Sequence, residues 1–486
     1  MPIDSKSVYY QERIYDWEMI ETILEGERAV KDAGETYLPK LKGQDTSDYQ
    51  AYKERGTFLN ATAKTVQGLT GAVMRKTPKV NAPAVPKEVL EDLTPDGLSV
   101  DELAKTLLSE VLSFGYLGAL ADFDDNTNRP YISRYKAEDI LNIRTEKVGR
   151  IDVIVDIILQ EVYYEANPKD EFVTDKKTRL RRLQLIDGIY NVSTYIQNDK
   201  GEWGTEQEGI TPKVRGQFMD FIPFVFFGSV TNHHVPDKPP LLDLAFLNIK
   251  HWQVTVDYYH GLHYCALPTP WAAGWPKESK LYVGPGKAWV TENEAAKCGY
   301  LEFGGSGLGA VRVAREDLKQ EMATMGARLL EGQKAAAEAA ETVERRQSGD
   351  VATLSSICSS IENGMKKLLE YVSLWITATV GEITVALNRD FVSDRLAPQQ
   401  ITALLQALQS GAISLDTFLW NLQQGEILAP DTTVEEEKMK LALTGNGNFT
   451  STGKGSEEEP EKKPLPKSKS KLNRRKPTEV ELEETE

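Results

Sequence analysis

The residues that could hold a metal ion in this sequence are concentrated in one short stretch. All five histidines lie between His233 and His263, and Cys265 follows two residues later. The spacing of His260, His263 and Cys265 would allow the three side chains to face one ion from the end of a helix. A structural zinc site, however, needs four ligands, usually supplied as two pairs. The other two cysteines are isolated. We therefore expect no metal, and we interpret these histidines as hydrogen-bonded or interface residues.

Two glycine-rich stretches resemble motifs that cradle a phosphate or present a nucleophile. Gly284–Lys287 ends in Gly-Lys, but Leu281 and Ala288 stand where the phosphate-binding loop needs Gly and Ser or Thr. Gly304–Gly309 does not follow a strand-turn-helix unit with an acidic residue ~20 positions later. It also fails to complete G-x-S-x-G, because Leu308 occupies the last place. We expect a flexible linker there and no nucleotide cofactor.

Carboxylates are abundant, and the densest group is Asp122, Asp124 and Asp125. They precede Asn and Pro residues, which favours solvated turn positions over acid-base roles. No cluster of nucleophile, base and electrophile is found elsewhere. The sequence therefore predicts no catalytic residues, no cofactor and no enzyme activity.

One basic feature interrupts a stretch that is otherwise rich in Ala and Glu, from Lys334 to Gly349. Arg345 and Arg346 are adjacent, and Lys334 precedes them. Such a pair is most often a solvated helix face. The two arginines would have a function if the segment lined a pore. The rest of the segment, rich in Ala and Glu, offers few groups that could bind what passes through.

Composition excludes several classes of protein. The chain has 486 residues, 40% of them hydrophobic, with 57 Lys and Arg against 73 Asp and Glu and a formal net charge of −16. This acidity argues against gripping nucleic acid through overall charge. The longest apolar stretch, Phe221–Val230, is half of the ~20 residues of a membrane helix. The start has no signal-peptide pattern, so we expect no membrane and an intracellularly assembled protein.

Hydrophobic periodicity predicts an α+β body in the first half of the chain. Tyr10, Ile14, Trp17 and Leu24 would share a helical face, and Ser99 with Glu102 forms a capping box ahead of another apolar helix. The period then changes to two, with alternation along Ile151–Leu159. Asp187-Gly188 predicts a hairpin turn.

The second half predicts a helix, a compact insert, a second helix and a very long helix. Pro239-Pro240 opens a helix that is apolar on several sides, so it must pack against neighbours in the same chain or in adjacent subunits. The insert contains the stretches KLYV, KAWV and YLEF, which we expect as short strands. From Val351 the amphipathic pattern continues for ~30 residues. The charged end of the chain, 445–486, predicts disorder.

The order of these segments resembles the portal proteins of tailed bacteriophages, and more specifically a portal-like family long catalogued as a phage domain of unknown function. The resemblance covers roughly Tyr10 to Leu443. It is carried by the stretches SFGYLGALADF, RPYISRYKAEDILNIR, IPFVFFGS, PLLDLAFLNIKHWQVTVDYYHGLHYCALPTPW, LYVGPGKAWVTENE, YLEFGGSGL, the long segment from EMATMGARLL to KKLLEYV, and QSGAISLDTFLWNLQQGEIL.

The resemblance implies an α+β portal fold. Its parts would be a wing of helices and a β layer (1–238), a first stem helix (239–264), a small β-containing clip (265–309), a second stem helix (310–333), a tunnel loop (334–350), a long wing helix with its connection (351–395), a helical crown (396–444) and a disordered charged tail (445–486).

The resemblance also implies a function and partners. The chain would form a ring, usually of twelve subunits, at one capsid vertex of a virion assembled in the host cytoplasm. Double-stranded DNA would pass through it without sequence specificity during packaging, retention and ejection. The terminase large subunit and the head–tail adaptor would dock on the clip, where Trp271, Trp275 and Trp289 are candidate anchors. Major capsid and scaffolding proteins would surround the ring.

Lys334, Arg345 and Arg346 would contact the DNA backbone transiently, while the negative charge of the ring repels DNA elsewhere. Three other readings stay open. The chain could be another virion structural protein, such as a capsid or adaptor subunit, an enzyme without a recognisable site, or a scaffold that binds partner proteins.

Overall fold

The computed structural model describes residues 2–167, 170–198, 200–266, 269–284, 287–301, 305, 307–326, 340–378, 381–389, 391, 398–424, 427 and 434–443. The chain divides into two compact units, Met1–Val392 and Ser393–Glu486, and each is described by itself. Helices and strands alternate through the first unit. The chain is a mixed α and β protein, in agreement with the sequence patterns.

The first unit contains nine of the described helices. They are α1 (Val8–Glu25), α2 (Glu27–Asp32), α3 (Thr46–Arg55), α4 (Ala61–Val73), α5 (Lys87–Glu91), α6 (Val100–Phe114), α7 (Leu242–Ala266), α8 (Leu308–Thr324) and α9 (Ala340–Ile376). The described helices of the second unit are α10 (Pro398–Gln409), α11 (Leu415–Gln424) and α12 (Val434–Leu443).

The strands form antiparallel sheets. They are β1 (Lys79–Asn81), β2 (Tyr116–Asp124), β3 (Arg129–Lys136), β4 (Ile140–Val148), β5 (Ile151–Asn167), β6 (Asp170–Ile186), β7 (Ile189–Gln197), β8 (Trp203–Ile210), β9 (Lys213–Val214), β10 (Gln217–Phe218), β11 (Phe224–Gly228), β12 (Thr269–Ala273), β13 (Lys297–Leu301) and β14 (Thr384–Ala386). A three-stranded sheet has the order β11-β2-β3, and a five-stranded meander runs from β4 to β8.

Local signals explain where α1 and α6 begin and end. The Ser7 hydroxyl accepts a hydrogen bond from the Tyr10 N–H at the start of α1. At α6 the Ser99 hydroxyl accepts from the Glu102 N–H, and the Glu102 carboxylate accepts from the Ser99 N–H at 2.9 Å. This confirms the predicted capping box. Gly115 then ends the helix with a φ of 69°, which glycine adopts without strain.

The hairpin between β6 and β7 is also confirmed. Asp187 and Gly188 have φ angles of 51° and 74°, so both central residues are left-handed, as in the type I′ turns that match strand twist. In the meander, β4 pairs with β5 only as far as Leu159. On the other side, β7 pairs with β6 as far as Arg179, which lies opposite Glu161 of β5. Beyond that pair, β5 and β6 continue as a two-stranded ribbon.

Two large apolar clusters fill the first unit. One joins α1, α3, α7 and the five-stranded meander, with Trp17 and Trp252 fully buried in it. The other packs α6 and α9 against the three-stranded sheet. There a Cβ on Gly364 would lie 2.2 Å from the Phe227 ring, so α9 and β11 approach as closely as glycine permits. The predicted apolar stripe of the long helix is confirmed as a core stripe.

The sequence prediction was wrong about where the long helix begins. It starts at Ala340 instead of Val351, so residues 340–349 of the predicted tunnel loop are helical. Ala and Glu are strong helix formers, and extending a helix that is already anchored avoids the cost of nucleation. Residues 334–339 lie outside the described part of the chain.

The two helices that flank the insert also differ from the prediction at their ends. The first spans Leu242–Ala266 and begins after Pro239 and Pro240. The second, expected over 310–333, spans Leu308–Thr324. Gly326 has a φ of 147°, which no helix accommodates, so the apolar spacing that runs on through Met325 is not a continuing helix.

Of the three strands predicted in the insert, YLEF is partly confirmed, and its last two residues lie outside the described part of the chain. KLYV and KAWV are irregular, and the pair that forms is β12 with β13, of which only Tyr300 and Leu301 belong to YLEF. Pro276 and Pro285 border the irregular stretches, and proline cannot donate to a strand ladder. Pro270 is tolerated within β12 because each strand of a two-stranded sheet has one unpaired edge.

In the second unit, α10 ends at a turn where Gly411 has a φ of 74°. The Ser414 hydroxyl then accepts from the Thr417 N–H at 3.1 Å and caps α11, as predicted. Asp416 pairs with Lys438 across α11 and α12. The charged tail, 445–486, lies outside the described residues.

Candidate assembly surface

The helix pair α7 and α8 flanks the insert that contains Trp271, Trp275 and Trp289. The inner half of α7 is fixed by a buried amide. Asn248 is fully buried, and its Oδ1 accepts hydrogen bonds from the Thr62 N–H and the Thr62 hydroxyl, both at 3.1 Å. Its Nδ2 donates to the Leu59 carbonyl at 2.8 Å. Asn248 thus satisfies an N–H in the first turn of α4, where no intrahelical acceptor exists.

Close contact with α3 and the following loop holds the middle of α7. A Cβ on Gly56 would lie 2.3 Å from Val256 Cγ2, so glycine alone fits there. The Trp252 ring meets Phe58 edge to face at 6.5 Å between centroids. Gln253 donates to the Tyr37 carbonyl at 2.7 Å.

Polar contacts to α3 hold the outer half of α7. The Tyr52 hydroxyl donates to Asp257 Oδ1 at 2.5 Å, and the Arg55 guanidinium donates to His260 Nδ1 at 3.1 Å. Arginine has no acceptor atom, so His260 accepts with a neutral ring. Burial, and after it the charge of Arg55, lowers the pKa of His260 below its usual value. This histidine, a metal-ligand candidate by spacing, serves as an anchor.

Helix α8 lies along α7 with few buried side chains. Met322 is buried against α4 and the start of α7. Near the other end of the pair, Leu308 fits against Gly261, where a Cβ would lie 2.7 Å from its Cδ2. The Arg315 guanidinium stacks over the Tyr258 ring at 4.7 Å. Most of the surface of α8 faces solvent.

An open groove of about 940 Å³ runs along one side of the pair. Its floor includes Phe246 and Met325, which are 45% and 46% exposed. Its rim carries charged and polar side chains of both helices: Asp243, Lys250, Asp317, Gln320, Glu321 and Thr324. An apolar floor with a charged rim is typical of a surface that another protein covers.

The tip of the pair, residues 269–301 where described, exposes several large apolar side chains. They are Trp271, Tyr282, Val283, Val290, Tyr300 and Leu301. A two-stranded sheet is marginally stable alone, and β12–β13 has few neighbours that could cover these side chains. The tip therefore has the composition of a docking surface without a partner.

The three tryptophans of the tip lie in different local structures. Trp271 is 43% exposed on β12, facing Gly299 of β13. Trp289 is half-buried and donates from Nε1 to the Tyr282 carbonyl at 2.8 Å. Trp275 is half-buried, and its Nε1 has no partner among the described residues. The three form no ring contact with one another in this part of the chain, and their docking role stays a prediction.

The proposed DNA-contacting residues are only partly described. The backbones of Arg345 and Arg346 lie in the first turns of α9. Lys334 lies outside the described residues. Their role stays a prediction.

The remaining chemical candidates do not form a site. His233 and His234 stack on each other at 4.0 Å between ring centroids. Among the described residues, no group of three or more His, Cys, Asp or Glu side chains is arranged to hold a metal ion. Cys265, Cys298 and Cys358 are free thiols. No described helix is both long and apolar enough to span a bilayer.

Asp122 is where the sequence interpretation of the carboxylates was wrong. Asp124 does lie next to a turn, at the end of β2, and accepts hydrogen bonds from Asn126 and Thr127 of that turn. Asp122 instead is nearly buried between the sheets, where it pairs with Arg181 and accepts from the Tyr131 hydroxyl at 3.0 Å. The partners come from β3 and β6, and local composition gives no sign of them.

A charged cleft of about 1350 Å³ opens beside this buried pair, between α1, β3 and the base of the β5–β6 ribbon. Burial, followed by the charge of Glu21, raises the pKa of Glu138 to about 7. Burial also raises the pKa of Asp139 to about 6. Lys136 bonds Glu21 at 2.7 Å and lies 3.8 Å from Glu138. Several charged residues of the cleft walls pair with one another.

One family model matches a segment of the chain that includes the helix pair. Residues 240–376 match a family model described as "Domain of unknown function (DUF4055)". The matched span begins just before α7 and ends at the last residue of α9. It covers less than half of the chain. No curated protein matches the sequence.

Solved structures show only remote similarity. The "Neck of empty GTA particle computed with C6 symmetry" is 11% identical, covers 77% of this chain and 92% of that chain, and has a TM-score of 0.38. The "Virion of native gene transfer agent (GTA) particle" is 9% identical, with 87% and 96% covered and a TM-score of 0.37. Similarity at this level assigns neither a fold family nor a function.

Proposed function

We propose that this protein is a structural subunit of a phage-type particle, and more specifically a portal subunit that forms a ring around a DNA channel at one capsid vertex. The observation that carries the proposal is the helix pair. Its inner half is locked into the body by Asn248 and Val256, while its groove and its tip expose apolar side chains. Exposed apolar surface of this kind marks a site that other subunits or partners cover.

The parts of the molecule fit this role in a consistent order. The body with its two larger sheets is the wing, α7 and α8 are the stem, and the tip is the clip. The terminase large subunit and a head–tail adaptor dock on the tip, where Trp271 offers an exposed aromatic side chain. The role is structural, with no catalytic step and no cofactor.

Charge also fits a conduit. One chain has a formal net charge of −16, and a ring multiplies it by the number of subunits. A strongly acidic ring repels DNA over most of its surface, so DNA can slide. Lys334, Arg345 and Arg346 supply the few attractive contacts with the phosphate backbone.

Native mass and shape of the purified full-length protein test the ring. Mass photometry should show a species near 650 kDa, twelve times the 54.3 kDa of one chain, and negative-stain images should show rings with a central hole. A 54.3 kDa monomer at every concentration, with and without co-expressed scaffolding protein, contradicts the proposal. Filaments or shells without a central hole would favour another virion structural role.

The DNA contacts are tested by replacing Lys334, Arg345 and Arg346 together with Ala in a packaging assay. Rings should form normally, while the amount of DNA retained after packaging falls severalfold. The matched control replaces Lys366 and Lys367, which lie further along α9. Unchanged packaging and retention in the triple variant would reject these contacts and leave the ring untouched.

A further inference from the structure

Opposite sides of α8 carry opposite charges. Arg312, Arg315 and Lys319 are spaced by three and four residues and share one side of the helix. Asp317 and Glu321 are spaced by four residues and lie roughly half a turn away, because successive residues are about 100° apart. Helix α8 therefore has a basic edge (Arg312, Arg315, Lys319) and an acidic edge (Asp317, Glu321).

These charges are mostly unused within the chain. Arg312, Asp317, Lys319 and Glu321 are exposed, and none forms an ion pair within the described part of the chain. Arg315 is the exception, since it pairs with Glu316 at 2.9 Å and stacks on α7. Within the described residues, α8 thus leaves Arg312 and Lys319 on its basic edge, and Asp317 and Glu321 on its acidic edge, without ion pairs.

The acidic edge borders the apolar groove. Asp317 and Glu321 line it together with Phe246 and Met325. Lys250 is the one cation among the described residues that line this groove, against three carboxylates, and the third, Asp243, is bonded to Lys238 at 2.9 Å. The groove combines an uncovered apolar floor with an excess of negative charge.

We propose that this groove receives the basic edge of α8 from a second copy of the chain, so that neighbouring copies associate head to tail. Two acidic grooves facing each other across a two-fold axis would bring like charges together, which costs several kcal/mol in a desolvated contact. A contact between two different surfaces of the same chain repeats from copy to copy. Such a contact closes into a ring or continues as a filament.

This inference rests on the proposed ring and adds which surfaces form its joint and in which sense they meet. Arg312 and Lys319 of one copy lie against Asp317 and Glu321 of the next. Phe246 and Met325 are covered in the process. Both edges are needed on every subunit, so damage to either one prevents closure.

Two charge-reversed variants of the full-length chain test the joint. Variant A carries Asp317→Lys and Glu321→Lys, so both of its edges are basic. Variant B carries Arg312→Glu and Lys319→Glu, so both of its edges are acidic. Each should fail to form rings alone, with the concentration for half-assembly raised by more than about tenfold. An equal mixture of A and B should form rings again, because every joint then pairs opposite charges.

The outcomes separate the inference from the proposed function. Rings in the wild type, together with unchanged rings in A and B alone, overturn the charged joint and leave the ring intact. Monomers in the wild type overturn both. Circular dichroism tests whether A and B fold. If either does not, a variant that carries the neutral substitutions Asp317→Asn and Glu321→Gln replaces it. In that variant, half-assembly should become less sensitive to salt, and unchanged salt sensitivity counts against the joint.

Discussion

Two amphipathic helices of this molecule, α8 and α9, use their surfaces in opposite ways. Every apolar residue of the α9 stripe from Leu354 to Val372 is buried in the chain's own core. On α8 only Met322 is buried, while Val313 is 51% exposed and Met325 borders an open groove. The two helices follow each other in the sequence, yet the apolar side of α9 is covered by the rest of the chain and that of α8 is largely exposed.

The difference separates residues that fold the subunit from residues that assemble it. A stripe that is buried within the chain contributes to the stability of the monomer. A stripe that stays exposed contributes nothing until another molecule covers it. Stability of the monomer and stability of the assembly should therefore respond to different substitutions.

The largest expected effect is on α9. Leu368→Ala removes a fully buried side chain and leaves a cavity, so the free energy of unfolding should fall by about 2–5 kcal/mol. Val313→Ala on α8 is the matched control and should change it by less than about 0.5 kcal/mol. Denaturant unfolding of the monomer measures both. Equal losses would mean that the chain itself covers α8 and would remove the contrast.

An intermediate effect is expected where the helix pair joins the body. Asn248→Ala leaves the Thr62 N–H and hydroxyl buried without an acceptor, which should cost about 1–3 kcal/mol. Amide exchange at Thr62 should accelerate more than at residues of α9. The control Gln253→Ala removes one half-buried hydrogen bond and should cost less. If the two variants lose equal stability, the amide is not the principal anchor.

The smallest effect concerns the body alone. The raised pKa of Glu138, about 7, means that the folded state binds a proton more tightly than the unfolded state does. Stability is therefore lost as pH rises from about 5 to 8. Glu138→Gln should remove this loss, and its gain in melting temperature over wild type should grow with pH. The gain should stay within about 1 kcal/mol, because solvent screens this partly exposed group.

Glu88→Gln, at an exposed position of α5, is the matched control for that titration. Its melting temperature should follow the wild type at every pH. Identical pH profiles for Glu138→Gln and wild type would show that burial does not disfavour the Glu138 carboxylate.

The sequence predicts α9, whose apolar side is buried, far better than α8, whose apolar side is largely exposed. Eight apolar residues of α9 repeat at helical spacing, so a single pattern specifies both the helix and its buried face. The Ser99–Glu102 box and the Asp187-Gly188 turn are equally local, since each depends on residues within four positions. Signals of this kind need no knowledge of the rest of the fold.

Two features that the sequence does not predict depend on contacts between distant residues. Asn248 and Thr62 are separated by 186 positions, and Asp122 meets Arg181 across 59. Neither pairing has a local signature. In contrast, the opposite charges of α8 are visible in the stretch REDLKQE. Their role in the proposed joint can be inferred only once the groove beside Asp317 is known.

The way α7 is held has a mechanical consequence. Its inner part is clamped at Asn248 and Val256, whereas the segment beyond Gly261 carries the tip. A helix transmits a load along its axis as a stiff rod, and glycine is one of the residues at which helices bend. A load applied at the tip would therefore act on the part of α7 beyond the clamp, and the contact between Leu308 and Gly261 would serve as the pivot.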